Sequence, residues 1–146
     1  MITYVLTISQ KFPTTHSRKG EHTNFYQLIL RGQKKHTIRG NYDLWQKRFQ
    51  KIKQGKAILS VRCWEDKPYK SKQIELLQFD ETKGIGLEKL EDPKNALIAW
   101  VNGTKNDWET IANNDGLSFL DFCEWFKVKQ EKPMAIIHFT DFLYCH

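Results

Sequence analysis

Hydrophobic and polar residues alternate along several parts of the chain, and this period of two predicts β-strands. In residues 3–9, for example, Tyr4, Leu6 and Ile8 would share one face. A final apolar stretch, residues 134–142, is long enough to form a central strand. The predicted strands are residues 3–9, 36–39, 56–64, 74–79, 84–87 and 134–142.

Other segments carry hydrophobic residues three and four positions apart, which is the spacing of one helical face. Asn41 or Asp43 can cap the helix that would bury Trp45. Ser118 and Asp121 have the capping-box spacing at the start of a late helix. The predicted inward faces are Phe25/Leu28/Ile29, Trp45/Phe49/Ile52, Ala96/Leu97/Trp100/Val101, Trp108/Ile111/Ala112 and Leu120/Cys123/Phe126.

These strands and helices do not alternate regularly, so a parallel α/β sheet is not expected. The order predicts an α+β fold, a small mixed β-barrel of five to six strands with inserted helices. A chain of 146 residues has the size of one domain, and we expect residues 1–146 to form a single domain, more readily a monomer than an oligomer.

Charge and cysteine usage narrow the class of protein. The net charge is +6, which favours partners that carry phosphate without requiring them. Cys63, Cys123 and Cys145 are widely separated, a pattern that predicts free thiols and a cytoplasmic location. Neither a signal peptide nor a membrane-spanning run is expected from the start of the chain or its apolar segments.

One short stretch, residues 32–39, concentrates candidate chemistry between the first helix and the second strand. Gly32 stands where a helix ends, and Ile38 would face the core. Because side chains alternate along a strand, Thr37 and Arg39 would share the other face, beside Lys34 from the turn. A solvated lysine and an ordinary strand threonine are the alternative interpretation.

The spacing Gly-x-Lys-x-x-Thr-x-Arg of residues 32–39 resembles the signature of the ASCH domain family. The resemblance implies a PUA-like barrel associated with RNA. In the branch of this family that hydrolyses N4-acetylcytidine, the motif lysine and threonine act with a glutamate near the late helix. By position these residues correspond to Lys34, Thr37 and Asp115, whose side chain is one methylene shorter than that of glutamate.

For that hydrolysis the resemblance implies Thr37 as nucleophile and Lys34 as general base. Arg39 would bind the substrate or a developing oxyanion, and Asp115 would orient the groups or carry a proton to the leaving amine. A lysine can act as base only if burial or nearby positive charge lowers its pKa, and Lys35 and Arg39 are its charged neighbours in sequence.

Positive charge is concentrated between Arg31 and Lys56, where Asp43 is the single acidic residue. A basic helix beside a basic turn is typical of surfaces that contact phosphate, although a lysine-rich face also serves solubility. Aromatic residues interleaved with cations could stack bases, or pack in the core. The candidate RNA- or nucleoside-binding residues are Arg39, Tyr42, Trp45, Lys47, Arg48, Lys51, Arg62, Trp64, Tyr69 and Lys70.

Two functions therefore remain open: binding of RNA or a pyrimidine nucleoside in a basic cleft, and metal-independent hydrolysis of an acylated cytosine nucleoside. The five histidines are scattered singly, which does not match the spacing of metal ligands. We expect no metal and no cofactor. A single histidine on a strand, such as His138, is more typical of packing than of ligation.

Overall fold

Two β-sheets and four helices make up the part of the chain that the structure, a computed structural model, describes: residues 1–65, 70–83, 86–91, 98–126 and 132–145. The strands are β1 Ile2–Thr7, β2 His36–Arg39, β3 Ala57–Trp64, β4 Gln73–Phe79, β5 Leu87–Glu91, β6 Ala99–Val101, β7 Thr104–Asn106 and β8 Met134–His138. The helices are α1 Phe25–Leu30, α2 Tyr42–Lys53, α3 Trp108–Asn114 and α4 Phe119–Trp125.

The architecture is mixed α+β, as the sequence predicts, but the strands form two separate sheets. One sheet has the order β1-β3-β4, in which β1 and β3 run parallel, and the other has the order β2-β8-β5-β6-β7. Among the described residues no barrel closure is present, and the expected count of five to six strands is too low because eight strands pair.

Strand β8 lies between β2 and β5, so the prediction of a central final strand is confirmed. Ala135, Ile136 and Ile137 are all buried, as expected for a strand covered on both faces. The strand ends at His138, four residues before the predicted end. The amide of Phe139 then donates to the carbonyl of Lys35, at 2.8 Å, which ties the closing segment to the turn before β2.

Helix α2 forms as predicted. The side chain of Asn41 accepts a hydrogen bond from the amide of Leu44, and Trp45, Phe49 and Ile52 are buried. Strand β3 also keeps its predicted alternation, with its odd-numbered residues turned into the core. These elements belong to one cluster of buried side chains that draws on both sheets.

Two of the predicted helical faces are wrong, the one that includes Trp100 and Val101 and the one in α4. Trp100 and Val101 belong to strand β6, not to a helix, and Asn102 and Gly103 form the hairpin that leads to β7. Both hairpin residues have positive φ, 49° and 81°, which is the type I′ turn that Asn-Gly favours. Residues 92–97, including Ala96 and Leu97, lie outside the described ranges.

In α4 the capping is as predicted, because Ser118 accepts from the amide of Asp121, but the inward face is not. Phe122 is the buried residue, whereas Leu120 is 78% exposed and Cys123 is exposed. None of the described helices is long and apolar enough to cross a membrane.

Candidate active site

The turn before β2 holds Lys34 against the rest of the fold. Gly32 has φ +75°, the left-handed conformation that suits glycine at a helix end. The amide of Lys34 then donates to the carbonyl of Leu28 at 3.0 Å, and that of Lys35 donates to the carbonyl of Asn114 at 2.7 Å. The second bond ties the motif to the end of α3, where Asp115 begins the α3–α4 connection.

Lys34, Thr37, Arg39 and Asp115 line one small pocket that opens to solvent and has a cavity volume of about 20 Å³. It lies between the end of β1, strand β2 and helix α4. The remaining wall is mostly apolar, from Ile8, Ser9, Phe25, Ile38, Leu117, Trp125 and Phe126. The structure therefore brings together the three predicted catalytic residues, Lys34, Thr37 and Asp115, and the predicted substrate-binding residue Arg39.

A second pocket, with a cavity volume of about 190 Å³, adjoins the first, and Ile8, Ser9 and Phe25 line both. Its other described lining residues are Gln10, His22, Asn24, Tyr26, Gln27, Cys63 and Leu76. Small-molecule sites commonly have volumes of roughly 300–1,000 Å³. The two cavities together fall below that range, so a bound ligand would remain partly exposed at the pocket mouth.

Lys34 is 1% exposed. Its Nζ donates to the backbone carbonyl of Asp115 at 2.6 Å and to Oδ1 of the same residue at 3.2 Å. Nζ also lies 4.1 Å from the centre of the Phe25 ring. Burial lowers the pKa of Lys34, Asp115 opposes that shift, and Arg39 adds a smaller lowering. Lys35 lies instead against Phe142, with Nζ 4.7 Å from the ring centre.

Arg39 orients Thr37 and bridges the two sheets. Its Nη1 donates to Thr37 Oγ1 at 2.9 Å, and its Nη2 donates to the carbonyl of Thr7 at the end of β1 at 2.5 Å. A guanidinium donor on the hydroxyl oxygen stabilises negative charge there, and it leaves the hydroxyl proton free to move to a base.

Asp115 reaches the site despite its short side chain. It follows α3 as the C-cap residue, and its own amide donates to the carbonyls of Ile111 and Ala112, which fixes its backbone. Gly116 follows with φ +83°, and it packs so closely on the turn that a Cβ there would lie 3.2 Å from Lys34 Cβ and 3.3 Å from Leu28 Cδ1.

This close approach gives a prediction with a matched control. Gly116→Ala and Gly32→Ala both place a Cβ at positive φ, but the space around Gly32 is empty. We expect each to lower the free energy of unfolding by about 1 kcal/mol, with a further loss at Gly116 because Lys34 must move. Urea unfolding of both variants measures the difference, and equal losses would contradict close packing at Gly116.

Sequence reasoning missed a chain of buried polar groups behind Asp115. His36 Nδ1 lies 3.3 Å from Asp115 Oδ1, and His36 Nε2 lies 2.7 Å from the Tyr144 hydroxyl. A second buried histidine, His138, lies beside His36, and its Nε2 is 2.7 Å from Glu88 Oε1. The available signal was that His36 shares the predicted core-facing side of its strand with Ile38 and that His138 lies in the predicted central strand, where a buried polar ring needs partners. The partners themselves come from remote segments.

The predicted RNA-binding residues do not converge in the same way. Trp45 is 5% exposed, so its ring is not accessible to a base. The prediction that Trp45 stacks on a base is therefore wrong. Arg48 lies over Trp45 and Tyr4, and Arg62 donates to Ser60 and Gln73. Tyr42 and Trp64 are half-buried, Lys47, Lys51 and Lys70 are exposed, and Tyr69 lies outside the described residues.

Within the described ranges, no group of three or more histidine, cysteine, aspartate or glutamate side chains could hold a metal ion. No protein-family model, no curated protein and no solved structure matches the chain. Its function has therefore to be inferred from the chemistry of the pocket formed by Lys34, Thr37, Arg39 and Asp115.

Proposed function

We propose that the chain is an ASCH-type protein of PUA-like ancestry whose pocket binds a pyrimidine nucleoside. The observation that carries the proposal is the convergence of Lys34, Thr37, Arg39 and Asp115 on one pocket. Three of these residues come from the motif and the fourth comes from a segment about 80 residues later, so their meeting depends on the tertiary fold.

The pocket suits a small planar ligand better than an RNA backbone. Its cations are buried, with Lys34 paired to Asp115 and Arg39 bonded to Thr37 and Thr7. Trp125 and Phe126 are half-buried and provide aromatic wall on which a base can stack, whereas Phe25 is as buried as Trp45 and packs against Lys34. The exposed lysines of α2 have the character of a solvated face, and affinity through them would fall steeply with salt.

Donors and acceptors in the pocket match a cytosine edge. Asp115 is an acceptor for an exocyclic amine, while Arg39 and Lys34 are donors for a carbonyl oxygen. A reducing compartment fits the three free thiols of Cys63, Cys123 and Cys145, and we propose a cytoplasmic location on that basis.

A second candidate function, hydrolysis of the N4-acyl amide of such a nucleoside, is favoured by the environment of Lys34. A buried lysine whose pKa is lowered gives up its proton more readily than an exposed lysine, so its neutral form is more accessible as a base. In the proposed reaction Thr37 Oγ1 attacks the acyl carbon while neutral Lys34 takes the hydroxyl proton. The oxyanion that forms is stabilised by Arg39.

Collapse of that intermediate breaks the bond between the acyl carbon and N4. The proton held by Lys34 passes to the departing amine, so cytidine leaves neutral and the acyl group remains as an ester on Thr37. A water molecule then attacks the ester, with Lys34 again as base, to release the carboxylic acid and restore the hydroxyl. Asp115 holds Lys34 in place throughout.

The test is incubation of the protein with N4-acetylcytidine and chromatographic detection of cytidine. We expect turnover that falls by about 10²–10⁴-fold in Lys34→Met and Thr37→Val, at equal folded content by circular dichroism. Lys47→Ala, an exposed lysine of α2, is the matched control and should keep wild-type activity.

Binding is measured alongside, by titration with cytidine and with a short single-stranded RNA at two salt concentrations. Cytidine binding without turnover would reject the hydrolase and keep the nucleoside pocket. Salt-sensitive RNA binding that Lys47→Ala weakens and Thr37→Val does not would reject the pocket as the functional site.

A further inference from the structure

His36 is fully buried and both of its ring nitrogens have partners. Nδ1 faces Asp115 Oδ1 at 3.3 Å, and Nε2 faces the Tyr144 hydroxyl at 2.7 Å. Tyr144 has a second contact, since the side-chain amide of Asn114 donates to its hydroxyl oxygen at 3.0 Å. Four side chains from β2, α3, the α3–α4 connection and the segment after β8 thus form one continuous chain.

The direction of these bonds can be worked out from the donors available. Asn114 Nδ2 is a donor, so the Tyr144 oxygen accepts and its own proton points elsewhere. The nearest acceptor for that proton is His36 Nε2, which must then be unprotonated. Nδ1 therefore carries the proton of the neutral ring and donates it to Asp115 Oδ1.

The opposite tautomer is disfavoured at two contacts. A proton on Nε2 would compete with the Tyr144 hydroxyl proton for the same gap, and an unprotonated Nδ1 would face Asp115 Oδ1 lone pair to lone pair. The imidazolium is disfavoured as well, because burial of the ring lowers the pKa of His36 by more than Asp115 raises it, and His138 and Lys34 add smaller lowerings.

We propose that His36, as the Nδ1–H tautomer selected by Tyr144 and Asn114, is the positioning residue that fixes the Asp115 carboxylate beside Lys34. The inference rests on the proposed function for its catalytic consequence, but not for the hydrogen-bond direction. It places Tyr144, from the closing segment, in the support of a site whose reacting groups come from the motif.

The consequence for chemistry follows from the sharing of Oδ1. That oxygen accepts from His36 and from Lys34 Nζ, and no hydrogen bond among the described residues reaches Oδ2. The second hydrogen bond on Oδ1 weakens the attraction between the Asp115 carboxylate and the ammonium group of Lys34. It also fixes the plane of the carboxylate, which leaves Oδ2 as the oxygen that can meet a ligand amine.

His138 provides an internal comparison in the same molecule. Its ring lies 5.5 Å from that of His36. Its Nε2 faces Glu88 Oε1 at 2.7 Å, and its Nδ1 has no hydrogen-bond partner in the part of the chain that the structure describes. Because a carboxylate can only accept, His138 should be the Nε2–H tautomer. Two neighbouring buried histidines are thus expected in opposite tautomeric states.

The first test is long-range ¹H–¹⁵N correlation NMR of the imidazole rings at pH 7, with His36 assigned by its loss in His36→Asn. The expected result is the Nδ1–H pattern for His36 and the Nε2–H pattern for His138. An Nε2–H or imidazolium pattern for His36 overturns the inference, whatever the activity of the protein.

The second test compares two substitutions that each retain one end of the ring. His36→Asn keeps an amide donor near the Nδ1 position, and His36→Gln places its amide near Nε2, away from Asp115. Titration of Lys34 through its ¹³Cε shift needs no turnover. We expect a higher Lys34 pKa in His36→Gln and little change in His36→Asn, and an unchanged pKa in His36→Gln overturns the inference.

If the wild type hydrolyses N4-acetylcytidine, His36→Gln should lower kcat by about 100-fold, which is the usual cost of displacing a reacting group by about 1 Å. His36→Asn should restore most of it. Wild-type protein that shows the expected tautomers and Lys34 shift but no turnover rejects the proposed hydrolysis alone. Turnover with equal kcat in His36→Gln rejects the positioning role alone.

Discussion

Asp115→Asn is expected to lower the free energy of unfolding by about 3–5 kcal/mol at pH 7, because it leaves the buried ammonium of Lys34 without its counter-charge. The upper limit has a physical basis. An unpaired lysine can lose its proton, and doing so at pH 7 from the ordinary pKa of 10.5 costs 3.5 pKa units, or about 5 kcal/mol. Asparagine keeps the size of the side chain and an acceptor for His36.

The loss of stability caused by Asp115→Asn should become smaller as pH rises. Burial already lowers the pKa of Lys34 in the wild type, and without Asp115 to oppose that shift the pKa is lower still in the folded variant, so Lys34 binds fewer protons there than in the folded wild type or in the unfolded chain. Stability therefore rises with pH up to about the unfolded value of 10.5, and the loss caused by Asp115→Asn shrinks as pH increases. Urea unfolding at pH 7 and pH 9.5 measures this.

Two further variants separate charge from packing. Lys34→Met/Asp115→Asn removes both charges and should recover most of the loss. Glu91→Ala breaks the exposed Lys89–Glu91 pair, 3.7 Å apart, and should cost less than about 1 kcal/mol. An Asp115→Asn loss that matches Glu91→Ala, or that persists in the double variant, would show that the buried pair is not electrostatically costly to break.

That buried pair also indicates function. Replacing a buried ion pair by apolar residues of similar volume is often neutral or stabilising, so stability alone does not explain why Lys34 and Asp115 lie inside the fold. Both side chains line a pocket, together with a threonine hydroxyl held by an arginine. Recognition of a ligand explains a charged pair at a pocket wall better than stability does.

Local patterns were sufficient to predict the elements that carry the motif. The alternation in β3, the helical spacing of Trp45, Phe49 and Ile52, and the capping of α2 by Asn41 depend on neighbouring residues only. Thr37 and Arg39 share a face for the same reason, and the structure joins them by a hydrogen bond. Such features follow from strand and helix periodicity without knowledge of the tertiary fold.

Short apolar runs were predicted less well. Ala99 and Val101 are buried and Trp100 is half-buried, a period of two over only three residues. A helix and a strand cannot be distinguished over so short a run, and the Asn-Gly pair that follows suits either a helix end or a hairpin. In α4 the residues Phe119, Phe122, Trp125 and Phe126 also recur three and four positions apart, so the sequence offers a second apolar face, and the fold buries Phe122 of that face instead of Leu120 and Cys123.

The support of the site could not be predicted, because its parts are distant in sequence. Contacts of His36 with Asp115 and Tyr144 span 79 and 108 residues. Local periodicity carries no information at that range. The aromatic wall also differs from expectation, since Phe25, Trp125 and Phe126 line the pocket while Trp45 is in the core.

Glu88→Gln is the second change with a large expected effect, a loss of about 2–3 kcal/mol in the free energy of unfolding at pH 7. Glu88 is 1% exposed. Its carboxylate accepts from His138 Nε2 at 2.7 Å and from the amides of Tyr144 and Cys145 at 2.8 and 2.9 Å. Glutamine has one acceptor oxygen, and its amide group would face a donor.

The loss of stability caused by Glu88→Gln should disappear in acid, because the pKa of Glu88 is lowered in the folded protein. Burial alone would raise that pKa, but the three hydrogen bonds outweigh burial and hold it below the ordinary value of 4.5. The stabilisation is therefore complete above about pH 4.5 and is lost as pH falls through the lower, folded-state pKa. Protonation of His36 in the unfolded chain begins nearer pH 6.5, and it cancels because both proteins share it.

Unfolding by urea between pH 7 and pH 3 compares wild type with Glu88→Gln, and Glu91→Gln on the same strand is the exposed control. The difference in stability between wild type and Glu88→Gln should begin to shrink below pH 4.5 and disappear below the folded-state pKa of Glu88, whereas Glu91→Gln should follow wild type throughout. Because Glu88 holds the amide of Tyr144, Glu88→Gln should also loosen the segment that carries the tyrosine hydroxyl to His36. Faster amide exchange at Tyr144 and Cys145 is the matching observation, and a loss that stays constant with pH would contradict a buried carboxylate as its cause.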